Sequence, residues 1–292
     1  MNYLVELTII VAIWTILAAS FNIIIGYAGL FVVAHPLFFA CGAYGSILFA
    51  TMLGLPFAAC ALAAAILAIV LSLAFSLPTV RVSGDYLLIA SAGFLLGSLQ
   101  VIRNADWLGA SSGLSGPAVF AAPGRAFWGL LTCGLCAVAM LFLARWLVGS
   151  HFGRAVIAMR DDETALASLG RNPIKIKMLL IAVGAACASV AGSLYAGYFQ
   201  YVSPDQFEMM AATTMLAMVM VGGIGSTFGP FAGAIIMTAV PQLVTFFDMR
   251  PAWLAPVQGM IFTGIVILFL FLRPQGLFGS STRIGQSNVD AQ

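Results

Sequence analysis

The sequence predicts an all-α polytopic membrane protein with about nine transmembrane helices, eight to ten being the range its length allows. Three observations lead there. Only 8% of the 292 residues are charged and 62% are hydrophobic, against roughly 25% charged in an ordinary soluble domain. Six strongly apolar stretches without Asp, Glu, Lys or Arg stand out, and they run for 74, 17, 19, 27, 39 and 22 residues. Glycine and proline, finally, cut the longest of them at intervals suited to single crossings. Roughly 20 apolar residues span the hydrocarbon core, and a charge at its centre costs at least a few kcal/mol, so these stretches are where the bilayer lies.

The 74-residue stretch holds three spans, near 4–25, 31–52 and 56–77. They are parted by Gly26-Tyr27-Ala28-Gly29 with His35-Pro36, and then by Gly54-Leu55-Pro56. The next three stretches hold one span each, near 86–102, 127–147 and 177–199. The 39 residues from 209 to 247 must hold two, near 209–222 and 231–247, together with the turn Gly222-Gly223-Ile224-Gly225. That is too few for two full crossings and a turn, so at least one helix here is short, tilted or broken, and it must be buried in protein or line a wet cavity. A last span lies near 254–272. The first span lacks the basic start and short apolar run of a cleaved signal segment, its first charge being Glu6. Residues 1–276 then form one transmembrane domain, and 277–292, polar and rich in Gly and Ser, a flexible cytoplasmic tail.

Orientation follows from basic residues. With nine spans and a cytoplasmic loop at 148–176, Arg81, Arg145, Arg154, Arg160, Arg171, Lys175, Lys177, Arg273 and Arg283 fall inside, and only Arg103, Arg125 and Arg250 outside. The N-terminus is therefore expected outside and the C-terminus in the cytoplasm.

Several chemistries are excluded. A net charge of +2 gives no electropositive surface for nucleic acid. The five cysteines sit in apolar spans, and Cys133-Gly134-Leu135-Cys136 has no second Cys pair or nearby His to make a metal or redox site. His35 and His151 are too far apart to share a metal; His35, before Pro36, is read as a local hydrogen-bonding group, with a role on a transport path as the other reading. Lys175 and Lys177 both follow isoleucine, so no phosphate-binding Gly-Lys pair exists. Asp85, Asp205, Glu208 and Asp248 lie at span ends, which disfavours ion-coupled transport by a self-sufficient secondary transporter or channel. An enzyme acting on lipid would need clustered His or acidic residues at one face, which the sequence lacks.

One polar island remains. Residues 145–177 carry nine of the 22 charged residues. Within it a helix is expected over 161–170, capped by Asp161 or Asp162 and closed by Gly170 ahead of Pro173. Ala165, Leu166 and Leu169 make a short apolar stripe on it. Such a helix either lies on lipid headgroups or docks into a groove of a partner protein, and a narrow, Ala-rich stripe favours docking. Farther on, Gly225, Gly229 and Gly233 recur every four residues, as on one face of a tightly packed helix; Pro230 argues instead for a turn opening a helix at Gly229. With Gly222 and Gly223 these glycines serve tight packing or a gate, or else contact substrate directly.

The segment from Arg160 through Glu163-Thr164-Ala165 to Gly170-Arg171-Asn172, preceded by Gly153-Arg154, resembles the coupling segment of ABC importer permeases, in the form E-x-A-x-x-x-x-G. The resemblance is to LivM-type permeases of bacterial branched-chain amino acid importers. It extends to Asn22–Gly29 with His35 and Gly42-Ala43-Tyr44, to Arg81–Tyr86, to Ser111–Pro117 and to Val221–Ala234. Position 164 departs from it, Thr standing where relatives commonly carry an aliphatic residue.

The resemblance implies a permease subunit without an ATPase site of its own and without cofactors, in the bacterial inner membrane. Its partners would be a second related permease, two cytoplasmic ATPases that bind ATP and Mg, and an extracytoplasmic solute-binding protein, all amid membrane lipid. Glu163 (cap or polar contact), Ala165 (close approach), Leu166, Leu169 and Gly170 (C-terminal turn) would couple to the ATPase. The same motifs serve relatives that carry urea, amides or aromatic acids. A zwitterionic substrate needs a shielded path lined by small polar groups, for which Asn22, Ser91, Thr213 and Thr214 are candidates. The loop after Arg103 would be a gate or a docking surface, with Arg103, Asp106 and Arg125 offering ion pairs to the binding protein.

Overall fold

The computed structural model describes residues 2–79, 84–117, 119–120, 126–246, 251–273 and 275–279. Arg81, Arg125, Asp248, Arg250, Arg283 and the tail from 280 lie outside the described residues. The chain is a polytopic α-helical protein. Its helices are α1 (Asn2–Asn22), α2 (His35–Leu53), α3 (Phe57–Thr79), α4 (Asp85–Asn104), α5 (Ala126–Gly149), α6 (His151–Asp161), α7 (Glu163–Ser168), α8 (Pro173–Phe199), α9 (Met209–Gly222), α10 (Gly229–Gln242) and α11 (Pro251–Leu272). Seven of them are long and apolar enough to cross a membrane; α9 and α10 are apolar but shorter. At 14 residues each they reach about 21 Å, short of the about 30 Å core. Both helices of the cramped stretch are thus short, as its length required.

Local chemistry sets the boundaries. Pro36 occupies the first turn of α2, where its missing N–H costs nothing, and Gly54 ends the helix in the left-handed region at φ 61°. Pro173 opens α8 behind Asn172, whose side chain accepts from the Ile174 and Lys175 amides. Between α1 and α2 the chain widens into a π-turn, Ile23–Tyr27, with every residue buried. An unexpected two-residue antiparallel ladder pairs Leu114 with Val202 and Ser115 with Tyr201, so the loop after Arg103 is pinned to the segment that follows α8.

The centre of the fold is the crossing of α2 with α8. Two glycines make it: a Cβ at Gly42 would lie 2.0 Å from the Ser189 carbonyl oxygen, and one at Gly192 would lie 2.1 Å from that of Phe39. Nothing larger fits, so the backbones touch. Ser193 spans the contact, donating to the carbonyls of Gly42 at 3.2 Å and Ser189 at 3.1 Å. Around it α1 packs on α5, α8 and α10, and α3 on α2 and α8. His35 sits in this core fully buried, with Nε2 2.8 Å from the Ser20 hydroxyl and its ring against Phe21 and Phe38. It links α1 to α2, the local reading of the two.

The helix α11 stands apart. None of its apolar window is buried within the chain. It is fastened instead just beyond its C-terminal end, where the Leu277 amide donates to the Val221 carbonyl at 3.0 Å and that of Phe278 to Gly222 at 2.9 Å. The expected division at 276/277 falls inside this strap.

Candidate functional site

The polar island folds as two helices rather than one. Ser150 caps α6 through the Gly153 amide, and α6 runs on through Asp161. Asp162 is the break and the cap of α7. Its Oδ1 accepts from the amides of Thr164 (2.8 Å) and Ala165 (3.0 Å) and from the Thr164 hydroxyl (2.7 Å). Those bonds, led by the Ala165 amide and the Thr164 hydroxyl, hold the Asp162 carboxyl below the usual carboxylate range. The hydroxyl at 164, where an aliphatic residue was expected, thus reinforces the cap. Gly170 follows at φ 79°, where a left-handed residue ends the segment.

What fixes α7 to the body is a residue the sequence did not mark. Lys177, on the first turns of α8, is buried, and its ammonium donates to Glu163 Oε2 at 2.7 Å. Glu163 therefore makes a polar contact rather than the cap. Leu166 is 4% exposed and Leu169 79%, so the stripe expected on one face is divided: Leu166 packs inward and drops out of any docking surface, while Ala165, Leu169 and Gly170 point out. Next to α7, Arg160 donates to the Gly26 carbonyl at 2.7 Å, joining α6 to the π-turn.

The glycine-rich run is the turn between α9 and α10. A Cβ at Gly222 would lie 1.9 Å from the Gly229 carbonyl oxygen, one at Gly233 1.8 Å from that of Met218, and one at Gly229 2.1 Å from Ser226 Oγ. Gly223 and Gly225 have φ of 115° and 74°. Since α10 starts at Gly229, Gly225 is not on its face, and a continuous helical face through Gly225, Gly229 and Gly233 is ruled out. The glycines serve backbone contact. Asn22 completes the turn: its Nδ2 donates to the Ser226 carbonyl at 2.8 Å and its Oδ1 accepts from the Gly225 amide at 2.9 Å. Tyr27 reaches Thr227 at 3.4 Å.

Two of the four expected pathway residues are thereby corrected. Asn22, 2% exposed, has its amide committed to this turn, and Ser91, fully buried, accepts from the Val33 amide at 2.9 Å while donating to the Leu88 carbonyl at 2.8 Å. Neither lines the wide cleft beside α11. That cleft, of about 930 Å³, lies between α1, α9, α10 and α11, and Thr214 lines it together with Trp14, Met218, Thr238, Gln258 and Thr263. The buried Thr238 hydroxyl has no hydrogen-bond partner among the described residues. Thr213 is exposed and bonds back to the Met210 carbonyl at 2.8 Å. A mostly apolar cleft of this volume with a few hydroxyls and amides suits a small ligand carrying an apolar side chain.

At the other end of α4, Arg103 donates to Asp205 at 2.8 Å and pairs also with Glu208. Its charge is answered within the chain, so the ion pair it was expected to offer a partner is withdrawn; Asp106 remains exposed. The Tyr201 hydroxyl donates to the Ser112 carbonyl at 2.9 Å, and residues 106–117 of the loop are structured rather than a loose connector.

Comparison with known proteins agrees with this architecture. A family described as "Branched-chain amino acid transport system / permease component" matches residues 3–271. The chain is 30% identical to the high-affinity branched-chain amino acid transport system permease protein LivM of Escherichia coli (strain K12) over 301 residues, covering 94% of this chain and 69% of that protein. It is 27% identical to the probable LivM of Methanocaldococcus jannaschii, over 73% and 66% of the two chains. It is 28% identical to LivH of Salmonella typhimurium, over 49% and 44%. No solved structure gives a significant match. With a match that runs from the first turn of α1 to the last of α11, the chain belongs to the branched-chain amino acid transport system permease family.

Proposed function

We propose that this chain is a transmembrane permease subunit of an ABC importer and translocates branched-chain or related hydrophobic amino acids delivered by an extracytoplasmic binding protein. In this reading it is not an enzyme. ATP and Mg act on two cytoplasmic ATPases, and a second related permease completes the path. The seven long helices cross the inner membrane and the short α9 and α10 enter it and return as a pair, with the N-terminus outside and α6, α7 and the C-terminus in the cytoplasm.

The observation that carries the reading is α7. A helix of six residues would fray alone, yet this one is capped by Asp162 and tied to α8 by the Glu163–Lys177 pair, while Ala165, Leu169 and Gly170 are left outward for a partner. A push on it is passed through a short ionic contact to a helix of 27 residues that crosses α2 backbone to backbone. The cleft between α9, α10 and α11 supplies the outer part of the path, with Thr214 as a polar contact. Binding and ATP shift the whole between inward- and outward-facing states.

The test is reconstitution of the chain with its neighbouring permease, ATPases and binding protein. ATP-dependent uptake of labelled leucine, lost when the ATPases are omitted, is the expected result. Uptake by this chain alone in liposomes would replace the reading with a self-sufficient transporter.

A further inference from the structure

A second cavity, of about 530 Å³, lies beneath α7, within the roughly 300–1,000 Å³ typical of small-molecule sites. Its walls are of two kinds. Leu30, Leu87, Met159 and Ile224 make an aliphatic side, while Arg160, Glu163 and Lys177 bring charge to the other. The Glu163–Lys177 pair is internally balanced. Arg160 is not: among the described residues its acceptor is the Gly26 carbonyl, at 2.7 Å, and no carboxylate pairs with it, whereas Arg103 takes two. Among the described residues the cavity thus carries one uncompensated positive charge, on a planar group whose fork of donors matches a carboxylate. A ligand that answers both sides needs a carboxylate and an aliphatic body.

We propose that this cavity binds a free aliphatic α-amino acid from the cytoplasm, with its carboxylate on Arg160, its ammonium toward Oε1 of Glu163, the oxygen that Lys177 does not hold, and its side chain against Leu30, Leu87, Met159 and Ile224. The proposal rests on the importer reading for its consequence but not for the site itself. The cavity is walled by α6, by Glu163 of α7, by the π-turn and by the turn holding Ile224, and these elements must separate if α7 is driven by an ATPase. A ligand bridging them favours the arrangement in which they are together. Imported amino acid would then slow its own import.

Binding of leucine is measured first on the purified full-length chain by calorimetry, with isoamylamine and isovalerate as analogues lacking one charged group. Leucine should bind, isoamylamine should not, isovalerate should bind more weakly than leucine for want of the Glu163 contact, Arg160→Gln should weaken binding roughly tenfold or more by loss of a charge-assisted bond, and Ile224→Trp should block it by filling the cavity mouth. Absence of leucine binding to the wild-type chain, or equal binding by both variants, overturns the proposal. Initial uptake into proteoliposomes of the complete importer is then compared with and without unlabelled leucine in the lumen, each variant against its own rate. Several-fold inhibition is expected for the wild type and little for either variant; inhibition unchanged in both overturns the regulatory role. Leucine binding without any ATP-driven uptake would leave the site standing and sink the importer reading.

Discussion

The α2–α8 crossing gives the sharpest test of how this fold is held. In Gly192→Ala the new methyl carbon would stand 2.1 Å from the Phe39 carbonyl oxygen and 2.7 Å from the Ala43 nitrogen. An ordinary carbon-to-carbonyl-oxygen contact is about 3.3 Å, so the helices must part by roughly 1.2 Å. No side chain can step aside, because both obstacles are backbone. A gap of about 1 Å forfeits up to half of the dispersion energy of each contact along the crossing, and overpacking of this kind costs about 1–3 kcal/mol. The upper half of that range is expected here. For a chain of this size that is a fall of several degrees in melting temperature, at about 2–4 °C per kcal/mol. A thiol-reactive fluorophore would read it by reporting exposure of the buried Cys60 and Cys133. Gly134→Ala and Gly264→Ala are the controls, since nothing lies within 4 Å of a Cβ at either position. A Gly192→Ala chain melting within about a degree of these controls would refute the reasoning.

Lys177→Met should leave the chain inserted but impair ATP-driven uptake; because Glu163 is partly exposed, the stability cost is nearer 1–2 kcal/mol than the about 3–5 kcal/mol of a fully buried pair. Adding Glu163→Gln should restore most of the stability and not the uptake, and full uptake by Lys177→Met would dismiss the pair as a transmitting contact. Thr214→Trp should obstruct the 930 Å³ cleft and abolish leucine uptake while co-purification with the ATPases persists; normal uptake would remove the cleft from the path. The Asp162 cap has a pH signature. Its folded pKa lies below the ordinary 3.8, so its contribution is complete above that value and is lost as pH falls through the folded one. Exchange protection of the Thr164 and Ala165 amides should therefore hold at pH 5 and vanish in strong acid, and Asp162→Ala should remove it at any pH; protection that survives in that variant would contradict the cap.

Much of this was legible in sequence, for reasons that can be named. The distance between charges located the apolar helices, because desolvating a charge outweighs any local propensity. Thirty-nine residues between Glu208 and Asp248 left room only for short helices, and Pro230 marked the start of α10. What stayed hidden depends on partners far along the chain. Asn22 looked like a path residue because its acceptor and donor lie in a turn about two hundred positions away. Arg103 looked available for a partner protein because Asp205 and Glu208 meet it only when the outer segments fold together. The apolar stripe of α7 was divided because the helix stops at Ser168 and leaves Leu169 at its C-cap, exposed, while Leu166 packs inward, an early stop that spacing alone does not show. Two-residue strands leave no period to read. Lys177, flanked by apolar residues, gave no hint that Glu163 would come to it across 14 positions.

The manner in which α11 is attached bears on the cleft beside it. Secured beyond its C-terminal end by two backbone hydrogen bonds to Val221 and Gly222, the helix meets α9, α10 and residues 243–246 elsewhere only by packing, like a door with one firm hinge and one loose one. Its 22 residues give it a length of about 33 Å, so a tilt of roughly 5° about the firm hinge moves the other end about 3 Å. The opposite edge of the doorway, formed by α9 and α10, is locked by glycine contacts that permit no such play. The width of the opening is therefore adjustable from one side only, and whatever leans on α11 from the bilayer, lipid or a neighbouring subunit, sets it.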